Sequence, residues 1–180
     1  MKQIEEYYPE TVLQRYGSTV AEVEPSLVRA IESFVAELVT IEEERLHAPI
    51  GEGRWSPAEY ADHLYRVTLL YVEGVESAAR GEAAVEYQKG WVTDSGGLVS
   101  LPQGEPVAGR SLPELERDLR SSTTTLIAAV RQALADGATD RVSHVNPYFG
   151  PLTPLGCMQI ATVHARHHSK HLAEVNQAAL

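Results

Sequence analysis

The chain has 180 residues, 43% of them hydrophobic and 22% charged, with a formal net charge of −10 and a pI near 5.1. This length and composition predict one globular domain, residues 1–180, and the acidic balance argues against a nucleic-acid-binding surface, which needs a basic patch. The single Cys157 excludes an intrachain disulfide and suits a cytoplasmic location, while no apolar run approaches the roughly 18 residues of a membrane span.

Two helices are predicted in the first half of the chain. A polar N-terminal arm, residues 1–18, precedes a first helix over 19–47, whose apolar residues are spaced mostly by three and four. The second helix has the clearest start: Ser56 is a capping residue, a proline occupies the first helical position, and Glu59 completes a capping box. We expect this helix to run to about Arg80.

A segment containing glycine and proline, residues 82–110, follows the second helix. Two pieces of it, Trp91-Val92 and Leu98-Val99, could be extended, but neither is long enough to predict a strand. The segment is too long for a tight turn between antiparallel neighbours. We therefore expect a long crossover along a helix bundle, with the second and third helices roughly parallel.

Two further helices are predicted in the second half. Ser111 repeats the capping-box pattern and starts a third helix that ends near Gly137. Residues 138–152 form a loop rich in turn residues, and Thr153-Pro154 starts a fourth helix that runs to the C-terminus. The predicted fold class is therefore all-α, a four-helix bundle.

Four of the chain's seven histidines lie within eight residues of the predicted fourth helix. On a helical wheel, His164, His168 and His171 fall in the apolar stripe, and His167 falls at its edge. Three imidazoles therefore point toward the expected core. The polar half of this helix carries Gln159, Thr162, Arg166, Ser169, Lys170 and Asn176.

Several imidazoles in one core stripe need partners for their ring nitrogens. A divalent metal is one such partner, since two histidines four residues apart on a helix can both bind an ion about 2.0–2.1 Å from each nitrogen. The pairs His164/His168 and His167/His171 both have this spacing, and the wheel favours the first. Two simpler interpretations stay open: hydrogen-bonded core histidines, and histidines that complement the helix dipole.

A third inward histidine, His63, lies in the middle of the apolar stripe of the second helix. Together with His164 and His168 it would form a three-histidine site with an open position, which is typical of catalytic rather than structural zinc sites. Glu59, one turn earlier, is a candidate to orient His63, although its capping role is the simpler interpretation. Asp62 falls outside the stripe and is expected to be solvated.

Other inward residues are candidates for lining a pocket. Tyr60 and Tyr71 flank the stripe of His63 and could line a pocket or belong to the core. Cys157 shares the stripe of the histidines on the fourth helix, and we expect it to behave as a small core hydrophobe. The sequence has no HExxH motif, and Glu-x-x-His occurs only at 44–47, which excludes zincin metalloproteases and di-iron carboxylate bundles.

Three blocks of the sequence, at the start of the second helix and at the entry and end of the last one, resemble the DinB/YfiT superfamily. The block WSPAEYADHL at 55–64 resembles the tryptophan-serine start and the histidine of that family's second helix. The blocks YFGPLTP at 148–154 and HARHHSKHL at 164–172 resemble its entry into the last helix and its final HxxxH helix. The resemblance implies a four-helix bundle of up-down-down-up topology, usually a homodimer.

The resemblance also implies a divalent metal ion, zinc or nickel among others, held by three histidines. The family's ligands fall on His63, His164 and His168 of this chain. His171 occupies a position where many members have glutamine, so it could bind metal, orient a ligand or touch the substrate.

Members of this family include S-transferases and isomerases that use low-molecular-weight thiols such as bacillithiol or mycothiol, and others are described as metal-dependent hydrolases. The expected function is therefore a metal-dependent enzyme that acts on a small molecule, by thiol transfer or by hydrolysis. Two alternatives are a metal-binding bundle without turnover, such as a stress-response protein, and a metal-free dimeric scaffold with a histidine network in its core.

Overall fold

The computed structural model describes residues 1–94 and 96–177. Four long helices make up most of the described chain, and the remaining elements are short. In chain order the elements are β1 (Lys2–Gln3), α1 (Thr11–Gln14), α2 (Val20–Leu38), α3 (Glu43–Leu46), α4 (Pro57–Ala79), β2 (Val85–Glu86), β3 (Trp91–Val92), a 3-10 turn (Pro102–Gly104), α5 (Leu112–Ala135), β4 (His144–Asn146), β5 (Gly150–Leu152) and α6 (Pro154–Gln177).

Capping boxes start three of the long helices. At the start of α4, the Ser56 hydroxyl accepts a hydrogen bond from the Glu59 N–H at 3.2 Å, and the Glu59 carboxylate accepts one from the Ser56 N–H at 2.8 Å. The same arrangement starts α2 at Thr19 and α5 at Ser111. These bonds satisfy N–H groups that a helix start leaves unpaired. The capping role of Glu59 is thereby confirmed.

The first predicted helix, 19–47, is too long. Helix α2 ends at Leu38, and a turn separates it from α3. The three residues after Leu38 are β-branched, which lowers helix propensity, and the Thr40 hydroxyl donates to the Glu37 carbonyl at 2.7 Å. The turn directs Ile41 into the core, where its side chain is buried.

The four long helices share one hydrophobic core. Helix α2 packs mainly against α6, and α4 packs mainly against α5, while further contacts join α4 to α6 and α2 to α5. The chain is mostly helical, as predicted, and the up-down-down-up order stays a prediction. Within residues 1–94 and 96–177, no helix is long and apolar enough to span a membrane. Large, fully buried side chains come from each long helix and include Leu27, Phe34, Leu38, Leu64, Leu115, Leu119, Leu126, Met158 and Leu172.

The predicted polar half of the fourth helix is partly wrong, because Gln159 and Thr162 are both buried. The N-terminal arm covers this side of α6: α1 packs on it, and the Gln159 amide donates to the Gly17 carbonyl at 2.6 Å. The Thr162 hydroxyl donates to the Met158 carbonyl of its own helix at 2.9 Å. Residues 178–180 of the predicted helix lie outside the described residues.

The predicted loop over 138–152 contains a β-hairpin. Strand β4 pairs antiparallel with β5 and parallel with β2 of the crossover, while β1 pairs antiparallel with β3. Strands this short show no periodicity that a sequence pattern could reveal. The hairpin lies directly on α4, where a Cβ at Gly74 would come within 2.4 Å of the Ser143 carbonyl oxygen. This close approach places His144 beside Tyr71, with ring centroids 5.0 Å apart.

The crossover is attached to α4 through Asp62, whose side chain is 0% exposed. The carboxylate accepts hydrogen bonds from Arg66 at 2.6 Å, the Val107 N–H at 2.7 Å and Arg110 at 2.8 Å. Burial alone would raise the pKa of Asp62, but these three hydrogen bonds hold that pKa below its usual value. The expectation of a solvated Asp62 is therefore wrong, because the crossover folds back over this side of α4.

We expect Asp62→Asn to lower the free energy of unfolding by about 2–4 kcal/mol, since it leaves two partly buried guanidinium groups without their shared carboxylate. Urea unfolding at neutral pH measures the loss. Asp140→Asn, at an exposed position, is the matched control and should change stability by less than about 0.5 kcal/mol. Equal stability of the two variants would contradict this role.

Candidate metal centre

The three histidines predicted as ligands come together between α4 and α6. The Nε2 atom of His164 lies 2.9 Å from Nε2 of His63 and 2.9 Å from Nε2 of His168. The ligand atoms of all three lie within 4.8 Å of one another, close enough to hold a metal ion. His63 and His168 are 5% and 7% exposed, so water has little access to their rings.

The orientation of His63 is set by the crossover. Its Nδ1 atom lies 2.6 Å from the carbonyl oxygen of Gly104, and a carbonyl can only accept, so Nδ1 carries the proton. The lone pair of Nε2 then faces the other two histidines. The partner that orients His63 is thus Gly104 rather than Glu59, whose carboxylate caps α4. A Cβ at Gly104 would lie 2.9 Å from Val67 and 3.4 Å from the His63 ring, so a larger residue here would have to displace the Val67 side chain.

Hydrogen bonds cannot satisfy all three neutral rings. If Nε2 of His164 carries a proton, that proton can be given to His63 or to His168 but not to both. If it carries none, its lone pair faces the lone pair of His63 at 2.9 Å. In either case the Nδ1 atom of His168 is buried without a partner among the described residues. A cation bound to the three Nε2 lone pairs removes the conflict between them.

The three rings are held neutral, which is the form that binds metals. Burial lowers the pKa of His63 to about 4, against opposing effects of the Gly104 hydrogen bond and the Asp62 charge. Burial, and then the mutual proximity of the rings, lowers the pKa values of His164 and His168 well below the usual range. Nitrogens that bind one tetrahedral ion stand about 3.4 Å apart, so a shift of about 0.5 Å would fit an ion here.

His171 lies beside this cluster, and its Nδ1 atom already accepts a hydrogen bond. The guanidinium of Arg54, which can only donate, lies 2.7 Å from that atom and also pairs with Glu174 at 2.9 Å. His167, His168 and His171 are also close enough to hold an ion, but the positive charge of Arg54 beside His171 disfavours a cation there. His167 is exposed, in keeping with its predicted peripheral place.

The remaining predicted residues divide between the site and the core. The Tyr60 ring is buried and packs on the rings of His168 and His171, with centroids 5.0 and 4.9 Å away. It therefore limits the positions these two imidazoles can take. Cys157 is fully buried, and burial raises the pKa of its thiol, so it behaves as a core hydrophobe.

A cavity of about 400 Å³ adjoins the three histidines, and all three line it. Its walls are mainly apolar and aromatic, and no aspartate, glutamate, lysine or arginine lines it among the described residues. Such a space suits an uncharged, largely apolar part of a small molecule. The apolar and aromatic walls include Trp55, Leu70, Tyr71, Phe149, Ile160 and Val163.

His144 is a polar residue of this cavity that the sequence analysis did not single out. It is 2% exposed, lies between the rings of Tyr71 and Tyr87, and has no hydrogen-bond partner among the described residues. Burial lowers its pKa to about 4, so the ring is neutral at physiological pH. Asn146, two residues later in β4, lines the cavity as well, because alternate residues of a strand face the same side. A strand of three residues is too short for this alternation to show in the sequence.

We expect His144 to destabilise the fold at acidic pH. Because its folded-state pKa of about 4 lies below the ~6.5 of an unfolded histidine, the unfolded chain binds more protons as the pH falls between these values. The His144→Gln variant should therefore lose about 1 kcal/mol less stability per pH unit than the unsubstituted protein over this window. Urea unfolding of EDTA-treated proteins at about pH 4.5, 5.5 and 6.5 measures both slopes. Parallel slopes would rule out a buried neutral His144.

The chain matches one known protein family over a range that includes the histidine cluster. The family model described as DinB superfamily matches residues 26–172, a range that contains His63, His164 and His168. No match was found among curated proteins or among solved structures. Since the matched range covers most of the chain and includes the whole histidine cluster, this protein belongs to the DinB superfamily.

Proposed function

We propose that the protein binds one divalent metal ion through His63, His164 and His168 and uses it to act on a small molecule in the adjoining cavity. The observation that carries this proposal is the convergence of three neutral Nε2 atoms, which hydrogen bonds cannot satisfy, on the wall of an apolar cavity. Imidazole ligands suit zinc or nickel among other ions. When bound, such an ion would lower the pKa of a thiol or water molecule beside it.

Thiol transfer to an apolar electrophile is the reaction that the cavity favours. Among the described residues its walls carry no carboxylate to act as a base on water, whereas a thiol, with an ordinary pKa of about 8.5, loses its proton far more easily than water does. The aromatic walls, including Trp55 against the His63 ring at 4.7 Å, would exclude water and hold the apolar reactant.

His144 is the residue proposed to bind a polar atom of the reactant. As a neutral imidazole it can donate one hydrogen bond and accept another, and it can give a proton to a leaving group. The same property would let it assist a water molecule, so hydrolysis is the second candidate reaction. Homodimerisation and a cytoplasmic location stay predictions.

The proposed function predicts how much metal the purified protein holds. Protein purified without chelators should hold about one equivalent of a divalent metal, and His63→Ala, His164→Ala and His168→Ala should each hold less than about 0.2 equivalents while keeping a helical circular dichroism spectrum. His167→Ala, on the same helix but outside the triad, is the control and should keep its metal. Elemental analysis measures all five proteins. A metal-poor protein that gains no thermal stability from added zinc or nickel would instead favour the metal-free scaffold.

The proposed function also predicts that the protein catalyses thiol transfer. The protein should couple a small thiol to monochlorobimane, His168→Ala should abolish the reaction, and His144→Gln should raise the KM for monochlorobimane about two- to tenfold without losing metal, since one hydrogen bond contributes about 0.5–1.5 kcal/mol. His47→Ala, an exposed histidine outside the cavity, should react normally. Fluorescence of the thioether product gives the rates. A metal-loaded protein that turns over neither thiols nor ester substrates would favour the non-catalytic metal-binding bundle.

A further inference from the structure

A second groove, of about 680 Å³, runs between α2 and α6 on the side of α6 away from His168. Three cationic side chains line it: Arg29 from α2, and Arg166 and Lys170 from α6. Serine hydroxyls from both helices also line it, and no carboxylate does among the described residues. This composition is opposite to that of the chain as a whole, whose formal net charge is −10.

None of these three cations forms an ion pair with any described carboxylate, although the chain has 25 acidic and only 15 basic residues. Seven arginines outside the groove form ion pairs: Arg54, Arg66, Arg80, Arg110, Arg117, Arg120 and Arg131. Two others, Arg45 and Arg141, donate instead to backbone carbonyls.

The carboxylates that could neutralise the groove are bound elsewhere. Glu32 lies three residues after Arg29, a spacing that allows a pair along one helix, but both of its oxygens bind Arg120 of α5, at 2.9 and 3.0 Å. Glu174 lies four residues after Lys170 and binds Arg54 at 2.9 Å instead. Within residues 1–94 and 96–177, no carboxylate pairs with the cations of the groove.

Two of the cationic side chains also contact neighbouring residues. The guanidinium of Arg166 lies over the Tyr16 ring, 5.8 Å from its centroid, and Arg29 donates to the Ser26 hydroxyl at 3.4 Å. Guanidinium, ammonium and hydroxyl donors together match the oxygens of a carboxylate or phosphate group. The groove thus has the donors, the charge and part of the preorganisation of an anion site.

Val163 and His167, one turn apart on α6, line both the groove and the cavity beside the three histidines. These two side chains form the border between the two spaces. We infer that the groove binds the carboxylate or phosphate group of a small molecule whose other end reaches the cavity beside the three histidines. The use of that molecule as a co-substrate rests on the proposed function, whereas binding of its anionic group does not depend on metal.

Binding of two simple anions tests the groove. Succinate and inorganic phosphate, titrated at constant ionic strength into the protein as purified, should each bind, and their relative affinities tell which oxyanion the groove prefers. Arg166→Gln and Lys170→Gln should each weaken binding about fivefold or more, because each removes a charge-assisted donor. Arg15→Gln removes an equal charge from an exposed position outside the groove and should change affinity less than about twofold. Isothermal titration calorimetry gives the dissociation constants.

Equal affinities in all four proteins would overturn the inference. So would a protein that binds neither anion but binds vesicles of phosphatidylcholine and phosphatidylglycerol, because the patch would then recognise a membrane surface. Persistence of anion binding after EDTA treatment would support the groove as a site separate from the metal.

A kinetic comparison separates failure of this inference from failure of the proposed function. With monochlorobimane, mercaptosuccinate should have a lower KM than the uncharged thiol 2-mercaptoethanol, and Arg166→Gln should raise the KM for mercaptosuccinate alone. Turnover with equal KM values in both proteins would overturn the inference and leave the proposed function intact. Anion binding that Arg166→Gln weakens, in a protein that turns over no thiol, would support the groove and contradict the proposed function.

Discussion

The arrangement of the site depends on the hydrogen bond from Nδ1 of His63 to the carbonyl of Gly104. That bond fixes which nitrogen of His63 carries a proton, and so turns the lone pair of Nε2 toward α6. The neighbouring residue, Asp62, holds the same crossover through Val107 and Arg110. Two consecutive residues of α4 therefore join the crossover to the histidine cluster, so a change in the crossover would be felt at the proposed ligands.

Helix α6 separates two chemically different spaces. On one side, three neutral histidines meet an apolar cavity without charged walls, and burial keeps the pKa values of those histidines low. On the other side, cations without carboxylate partners line a groove. One helix can present both because successive residues point about 100° apart, so His168 and Lys170 face different neighbours. The division suits a reaction that joins an apolar reactant to an anionic one.

The hairpin adds a constraint that the helices alone do not provide. Because Gly74 lacks a Cβ, β4 can lie against α4 and bring His144 into the cavity. His144 comes from a different element than the three clustered histidines, so its position relative to them depends on how closely the hairpin packs. Its neutral state follows from burial and not from a charged neighbour. A site assembled from two helices, a crossover and a hairpin is rigid only when all four pack together.

The sequence by itself determined the helix starts, since a capping box such as Ser56 with Glu59 is a local signal. Helical periodicity and family resemblance also predicted that His63, His164 and His168 belong together, and the structure brings them together. It did not predict that Asp62 is buried or that α2 ends at Leu38. Only the tertiary structure decided these points, together with the contact of Gly104 with His63. The physical reason is that such features depend on partners distant in the chain, and a local pattern carries no information about which segment will cover a given helix face.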